Sequence, residues 1–276
     1  MLKRILLLLG ETPAGRAARQ CAFRLARADN SELMGIAGVD LAYIDAPMVG
    51  GIGAAYRWRG AQELKKQAVQ ASHRLRDAYE MECKANNVPF EWQDFEGDPV
   101  EALQIASERS DLVVMGHDTG FRGNIRERLP DTIEALCRKS PRPLIVCGDE
   151  DHAEADILIA YDASPPAMRA VQLFALLGFW LRRRVHIVAI GAEKPAVDRI
   201  PVGAAQYLRG RGYDVETVSI ATRAHPADVL RIEVADRKAG SLVMGVYGHS
   251  GLTERLFGST TTRLLEDPPC ALFVSH

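Results

Sequence analysis

The stretch LVMGVYGHSGLTERLFGST, Leu242 to Thr260, places four glycines (Gly245, Gly248, Gly251 and Gly258) behind an apolar run and closes on a hydroxyl pair. That pattern suits a backbone brought close to an anion. Gly245 ends the apolar run, where a missing Cβ lets the chain turn and a ligand lie against the main chain. Gly248 and Gly251 can adopt the positive φ that turns successive N–H groups inward. Gly258, Ser259 and Thr260 then open a helix, whose unbonded N–H groups and positive dipole end suit phosphate. The hydroxyls either donate to phosphate oxygens or cap the helix. No lysine follows, and Gly-x-x-x-x-Gly-Lys-Ser/Thr occurs nowhere, so this is not a Walker loop. The competing reading makes Gly248 and Gly251 plain turn residues and Ser259 an N-cap. No residue stands out as a general base, so the pattern speaks of binding more than of hydrolysis.

Such groups need a strand before Gly245 and a second strand ending at a recognition residue. Asp162 supplies the second, closing the apolar run of ADILIAYDASPPAMRAVQLFALLG (Ala155 to Gly178). That segment matches KRILLLLGETPAGRAARQCAFRLA (Lys3 to Ala26) in its apolar run, polar break, proline and helical pattern. GDPVEALQIASERSDLVVMG pairs likewise with HPADVLRIEVADRKAGSLVMG, and SPRPLIVCG with DPPCALFVSH. Three matches in one order mean an internal duplication. The acidic stretch GDEDHAEAD between the copies reads as a linker, giving domains at 1–150 and 155–276.

In the second copy the pattern predicts strands near Asp156–Tyr161, Val185–Ile190, Asp214–Ile220, Ser241–Val246 and Cys270–Ser275. Helices are expected near Pro165–Phe179, Ala196–Gly210, Pro226–Lys238 and Ser259–Glu266. Continuous apolar strands alternating with helices imply α/β architecture: two tandem open parallel sheets, each covered on both faces. Ligands of such sheets bind at the carboxyl ends of the strands. The first copy adds a longer connection, read as a mobile loop from Asp45 to Gly60 followed by a polar-faced helix from Glu63 to Asn87. Its glycines do not form Gly-x-Gly-x-x-Gly between strand and helix, which excludes a dinucleotide fingerprint.

Bulk composition narrows the function classes. Lys+Arg 34 against Asp+Glu 36 gives a net charge of −2, so no basic field for nucleic acid exists. No apolar run is long enough for a membrane span. The opening MLKRILLLLGETP reads as a buried first strand rather than a signal peptide. Five cysteines without a Cys-x-x-Cys pair argue for a reducing, cytoplasmic setting, and the seven histidines show no metal-ligand spacing, reading as surface and capping groups.

The pattern Gly-x2-Gly-x9-Gly-Ser/Thr, here Gly245, Gly248, Gly258 and Ser259, resembles the nucleotide-binding motif of the universal stress proteins. ILIAYDASPPAMRAV resembles that family's first strand with its aspartate, and the duplication resembles its tandem members, Rossmann-like domains in a pseudo-twofold arrangement. The resemblance implies that Asp162 faces the adenine of ATP, with Ala160 and Tyr161 lining the pocket and Ala189 against the base. It puts Met244 and Gly245 near base and ribose. Gly248, His249, Gly258, Ser259, Thr260 and Thr261 would hold the phosphates, with or without Mg. His249 either touches phosphate or is a solvated turn residue. The implied role is nucleotide-dependent choice of shape or protein partner in stress response or signalling. The alternatives are a slow ATPase or autokinase with Ser259, Thr260 or Thr261 as acceptor, and a nucleotide-free scaffold. Pairing through the last strands, Pro143 to Gly148 with Cys270 to His276, is implied too, giving a monomer with an internal pseudo-dimer or a homodimer.

The first copy departs from the motif. Gly116 is kept, but Thr119 stands at the place of Gly248. Leu129, Pro130 and Asp131 replace Gly258, Ser259 and Thr260, and Gly10 replaces Asp162. Proline lacks an N–H, and a carboxylate at a helix N-terminus repels an anion. One ATP per chain, in the second copy, is therefore expected, while Arg122, Arg126 and Arg128 could draw some other anion.

Overall fold

The computed structural model of the chain describes residues 2–41, 54–121, 131–152, 155–178, 183–246 and 258–275. Contacts divide it into an amino unit, Leu2–Pro141, and a carboxyl unit that takes in Arg142–His276.

The amino unit builds its sheet from β1 (Arg4–Leu8), β2 (Glu32–Asp40), β3 (Phe90–Gly97) and β4 (Leu112–Gly116). Their order is β3-β2-β1-β4, and β1 pairs with β2 and β4, and β2 with β3, in parallel. β1 is central, with Ile5 to Leu8 wholly buried, as an uninterrupted apolar strand must be when both faces are covered. Helix α1 (Pro13–Asp29) starts on a proline behind the Thr12 cap, whose hydroxyl accepts from Gly15 N, and ends on Asn30 at φ 53°. Its buried face is largely alanine and glycine, letting it lie close on β1 and β4. Helix α2 (Ala54–Ala85) packs on β2 and β3. α3 (Pro99–Glu108) and α4 (Asp131–Lys139) complete the unit.

The expected mobile loop meets a correction here. Ala54 to Gly60 belong to α2 rather than to a loop, because strong helix formers follow Gly53 at once. The rest of that loop lies outside the described residues.

In the carboxyl unit the strands are β5 (Leu144–Cys147), β6 (Ile157–Ala160), β7 (Arg184–Gly191), β8 (Asp214–Ala221), β9 (Ser241–Gly245) and β10 (Ala271–Ser275), ordered β5-β10-β9-β6-β7-β8. All pairs are parallel except β5 with β10, where Leu272 faces Val146 and Val274 faces Leu144. The last strand of the first sequence copy thus completes the sheet of the second. Helices are α5 (Pro165–Leu177), α6 (Lys194–Val197), α7 (Val202–Arg209), α8 (Pro226–Arg237) and α9 (Ser259–Glu266). A single helix over Ala196–Gly210 was expected. The chain instead breaks between α6 and α7, because Pro201 has no N–H to continue α6 and serves as the N-cap of α7. No helix among the described residues is long and apolar enough to cross a membrane. All five cysteines are buried and none forms a disulfide, and burial pushes the Cys137 and Cys270 thiols up to about 12.

Candidate nucleotide site

β6 and β9 lie side by side, Ile159 opposite Val243, so their carboxyl ends adjoin. Past Ala160 the chain stays bonded to β7 through Tyr161 N to Val188 O, 2.9 Å. Tyr161 is buried, its hydroxyl 3.5 Å from Met168 Sδ; burial, with Asp162 beside it, holds the phenol above its usual pKa. Asp162 is exposed at the loop crest, one carboxylate oxygen accepting from Ser164 N at 2.9 Å. Ala163 takes the left-handed conformation (φ 62°), and Ser164 caps α5 through Ala167 N. The loop is therefore rigidly formed around an outward-facing carboxylate. Ala189 is wholly buried within β7, and Met244 is nearly so in β9.

Gly245 has a cause the sequence reading did not assign. A Cβ there would lie 2.5 Å from Ala167 N and from Pro166 C, the first turn of α5. Gly116 does the same in the amino unit: its Cβ would lie 2.7 Å from Ala14 C and Gly15 N of α1. The Met-Gly ending of each copy thus lets a helix start press on a strand end. Backbone atoms cannot swing aside, so Gly245→Ala and Gly116→Ala should each lower stability by about 1–3 kcal/mol, read from urea midpoints.

Gly258 behaves differently. Its φ of −63° and ψ of 151° suit any residue, and a Cβ on it would meet none of the described residues within 4 Å. Neither backbone strain nor packing against the described residues requires glycine. As N-cap it brings no side chain to α9, whereas Thr12, Asp98, Ser164 and His225 cap α1, α3, α5 and α8. The first intrahelical bond at this end is Thr262 N to Gly258 O, 3.2 Å, which leaves the N–H groups of Ser259, Thr260 and Thr261 without a helical acceptor. Ser259 is exposed, Thr260 half-buried and Thr261 buried.

His225 is a residue the sequence reading left among capping histidines. It does cap: Nδ1 accepts from Ala227 N at 3.2 Å. Its Nε2 lies 3.0 Å from Ser259 Oγ. With Nδ1 accepting, the neutral ring carries its hydrogen on Nε2 and donates to Ser259, whose own hydrogen is left to point outward. No sequence spacing links these two residues; the packing of α9 on α8 does, with Arg231 donating to Arg263 O at 2.9 Å. Gly248 and His249 lie outside the described residues. Among the described residues no three His, Cys, Asp or Glu gather as a metal site.

A family model described as the universal stress protein family matches residues 1–148 and 179–276, most of the chain. The chain belongs to the universal stress protein family. Universal stress protein Slr1230 of Synechocystis sp. is 26% identical over 157 residues, covering 56% of this chain and 54% of that protein; the chain thus spans about half the length of that curated relative. A universal stress protein from Archaeoglobus fulgidus DSM 4304 superposes with a TM-score of 0.69 at 16% identity, over 99% of this chain and 97% of the other. A functionally unknown protein from Pseudomonas aeruginosa PAO1 gives 0.57 at 16% identity, over 99% and 92%. At such identities the structural likeness speaks for the fold alone, which is the α/β architecture expected.

Proposed function

We propose that this universal stress protein binds one adenine nucleotide, ATP, in its carboxyl unit and acts in stress response through nucleotide-dependent choice of shape or partner. The observation that carries this reading is the amino end of α9: a glycine N-cap that, among the described residues, neither strain nor packing requires and that leaves the first-turn N–H groups without a side-chain cap of its own. A phosphate placed there meets the N–H groups and the positive dipole end together. The Ser259 hydroxyl, accepting from His225, is set to donate to it. Gly245, Gly248, Thr260 and Thr261 complete the phosphate and ribose contacts in this reading. Asp162, outward on its formed loop, recognises the amino edge of adenine, with Tyr161 and Ala160 beneath. Ala189 and Met244, being buried, shape the floor. Mg enters with the triphosphate.

The reading is of a binder. His225 already holds its hydrogen on the nitrogen facing Ser259, so in that tautomer it cannot take the serine's proton. Five buried cysteines without a disulfide support a reducing, cytoplasmic setting. Calorimetric titration of the full chain with MgATP tests the proposal: the expected stoichiometry is near one. Two equivalent sites would remove the asymmetry between the units, and no heat at millimolar ATP would remove the function.

A further inference from the structure

We propose that the amino unit carries a second site of different chemistry, a pocket for a small amine, at the carboxyl ends of β1 and β2. The pocket measures about 170 Å³ and is roofed by α2 through Ala68, Ala71, Ser72 and Leu75. This inference goes beyond the nucleotide reading and does not depend on it.

Its origin is visible in the comparison of copies. Gly10 stands where the carboxyl unit has Asp162, and the space a side chain would take is left open. A Cβ on Gly10 would rest 3.7 Å from Thr119 Oγ1 and 3.8 Å from Thr12 Oγ1, ordinary contact distances. The Thr12 hydroxyl is engaged: it donates to Asp118 Oδ1 at 2.8 Å and accepts from Gly15 N at 3.0 Å, so it has no hydrogen to offer an anion. Thr119 differs: it lines the pocket, is 5% exposed, and its Oγ1 has no hydrogen-bond partner among the described residues. A buried hydroxyl without a partner is costly, and a ligand polar atom would relieve it.

Charge decides the class. Among the described residues the lining carries two carboxylates, Glu11 and Asp118, and no lysine or arginine. Glu11 is held by Arg74 at 3.0 Å, while Asp118 accepts from the Thr12 hydroxyl. An ammonium fits beside Asp118 and a hydroxyl beside Thr119, with a short apolar stem against Ala37 and Leu75. A cavity of about 150 Å³ holds a benzene, so the pocket suits roughly six non-hydrogen atoms, far fewer than a nucleotide.

The test uses the full chain at pH 7 and three probes of one size: 3-amino-1-propanol, 1,3-propanediol and 3-hydroxypropanoate, titrated by NMR. The amino alcohol should saturate at millimolar concentration, the diol about tenfold more weakly, and the acid not at all. Thr119→Val, which keeps the side-chain shape, and Asp118→Asn, which still accepts from Thr12, should each weaken the amine about tenfold. Gly258→Asp should leave it unchanged, which separates this site from the nucleotide. Absence of amine binding, binding of the acid as tight as the amine, displacement of the amine by ATP, or indifference to both pocket variants would each overturn the proposal.

Discussion

Gly258→Asp should lower ATP affinity about 100-fold while leaving the fold as stable as before or more so. The two effects separate because of what surrounds the residue. Its backbone angles suit aspartate, and a Cβ there meets none of the described residues within 4 Å. A carboxylate at this position accepts from the first-turn N–H groups and stabilises the helix by about 1 kcal/mol. The same carboxylate occupies the donors a phosphate would need and repels its charge; losing two or so charge-assisted bonds is worth about 3 kcal/mol, which is the 100-fold. Calorimetry reads the affinity and a thermal scan reads the stability. Tight binding with an aspartate at this helix start would place the phosphates elsewhere.

Tyr79→Ala should cost about 3–5 kcal/mol of stability in the amino unit, with Tyr79→Phe costing about 1–2 kcal/mol. Tyr79 is wholly buried in α2, its ring edge-on to Phe90 at 5.9 Å and tilted against Trp92 at 6.0 Å. Its hydroxyl donates to Leu33 O at 2.7 Å, and burial raises its pKa, so it remains a donor at any ordinary pH. Gly35 clears room for the ring; a Cβ there would lie 2.7 Å from it. The alanine variant leaves an aromatic-sized void and removes the hydroxyl's hydrogen bond, whereas phenylalanine removes that hydrogen bond alone. Urea unfolding of both variants measures the difference. A loss below about 1 kcal/mol for Tyr79→Ala would mean that α2 does not lie on β2 as described.

Local chemistry made much of the fold readable. Prolines behind hydroxyl or carboxylate residues marked the starts of α1, α3 and α5 because a cap and a fixed φ are both properties of neighbouring residues. The parallel strands were readable as unbroken apolar runs. Misreadings came where two local signals competed. Gly50, Gly51 and Gly53 drew the following helix formers into a loop, and the helical pattern of Ala196–Gly210 hid the stop at Pro201. In the site, the reason for Gly245 was not legible, since it depends on Ala167, a residue far away in sequence. His225 beside Ser259 and Thr119 beside Gly10 are juxtapositions of the same kind, set by strand order and helix packing. Gly258 is the opposite case, a glycine whose meaning lies in what is not packed against it.

The antiparallel pair of β5 and β10 gives the newborn chain a long wait. Leu144–Cys147 leaves the ribosome well before its partner, Ala271–Ser275, has been made. At about 5–20 residues per second, the roughly 120 residues between them take on the order of 6–25 s to add. For that time the Leu-Ile-Val-Cys run has no β10 to bond, and an unpaired apolar strand is a template for other chains. How quickly the codons between the two strands are read therefore sets how long β5 stands without β10.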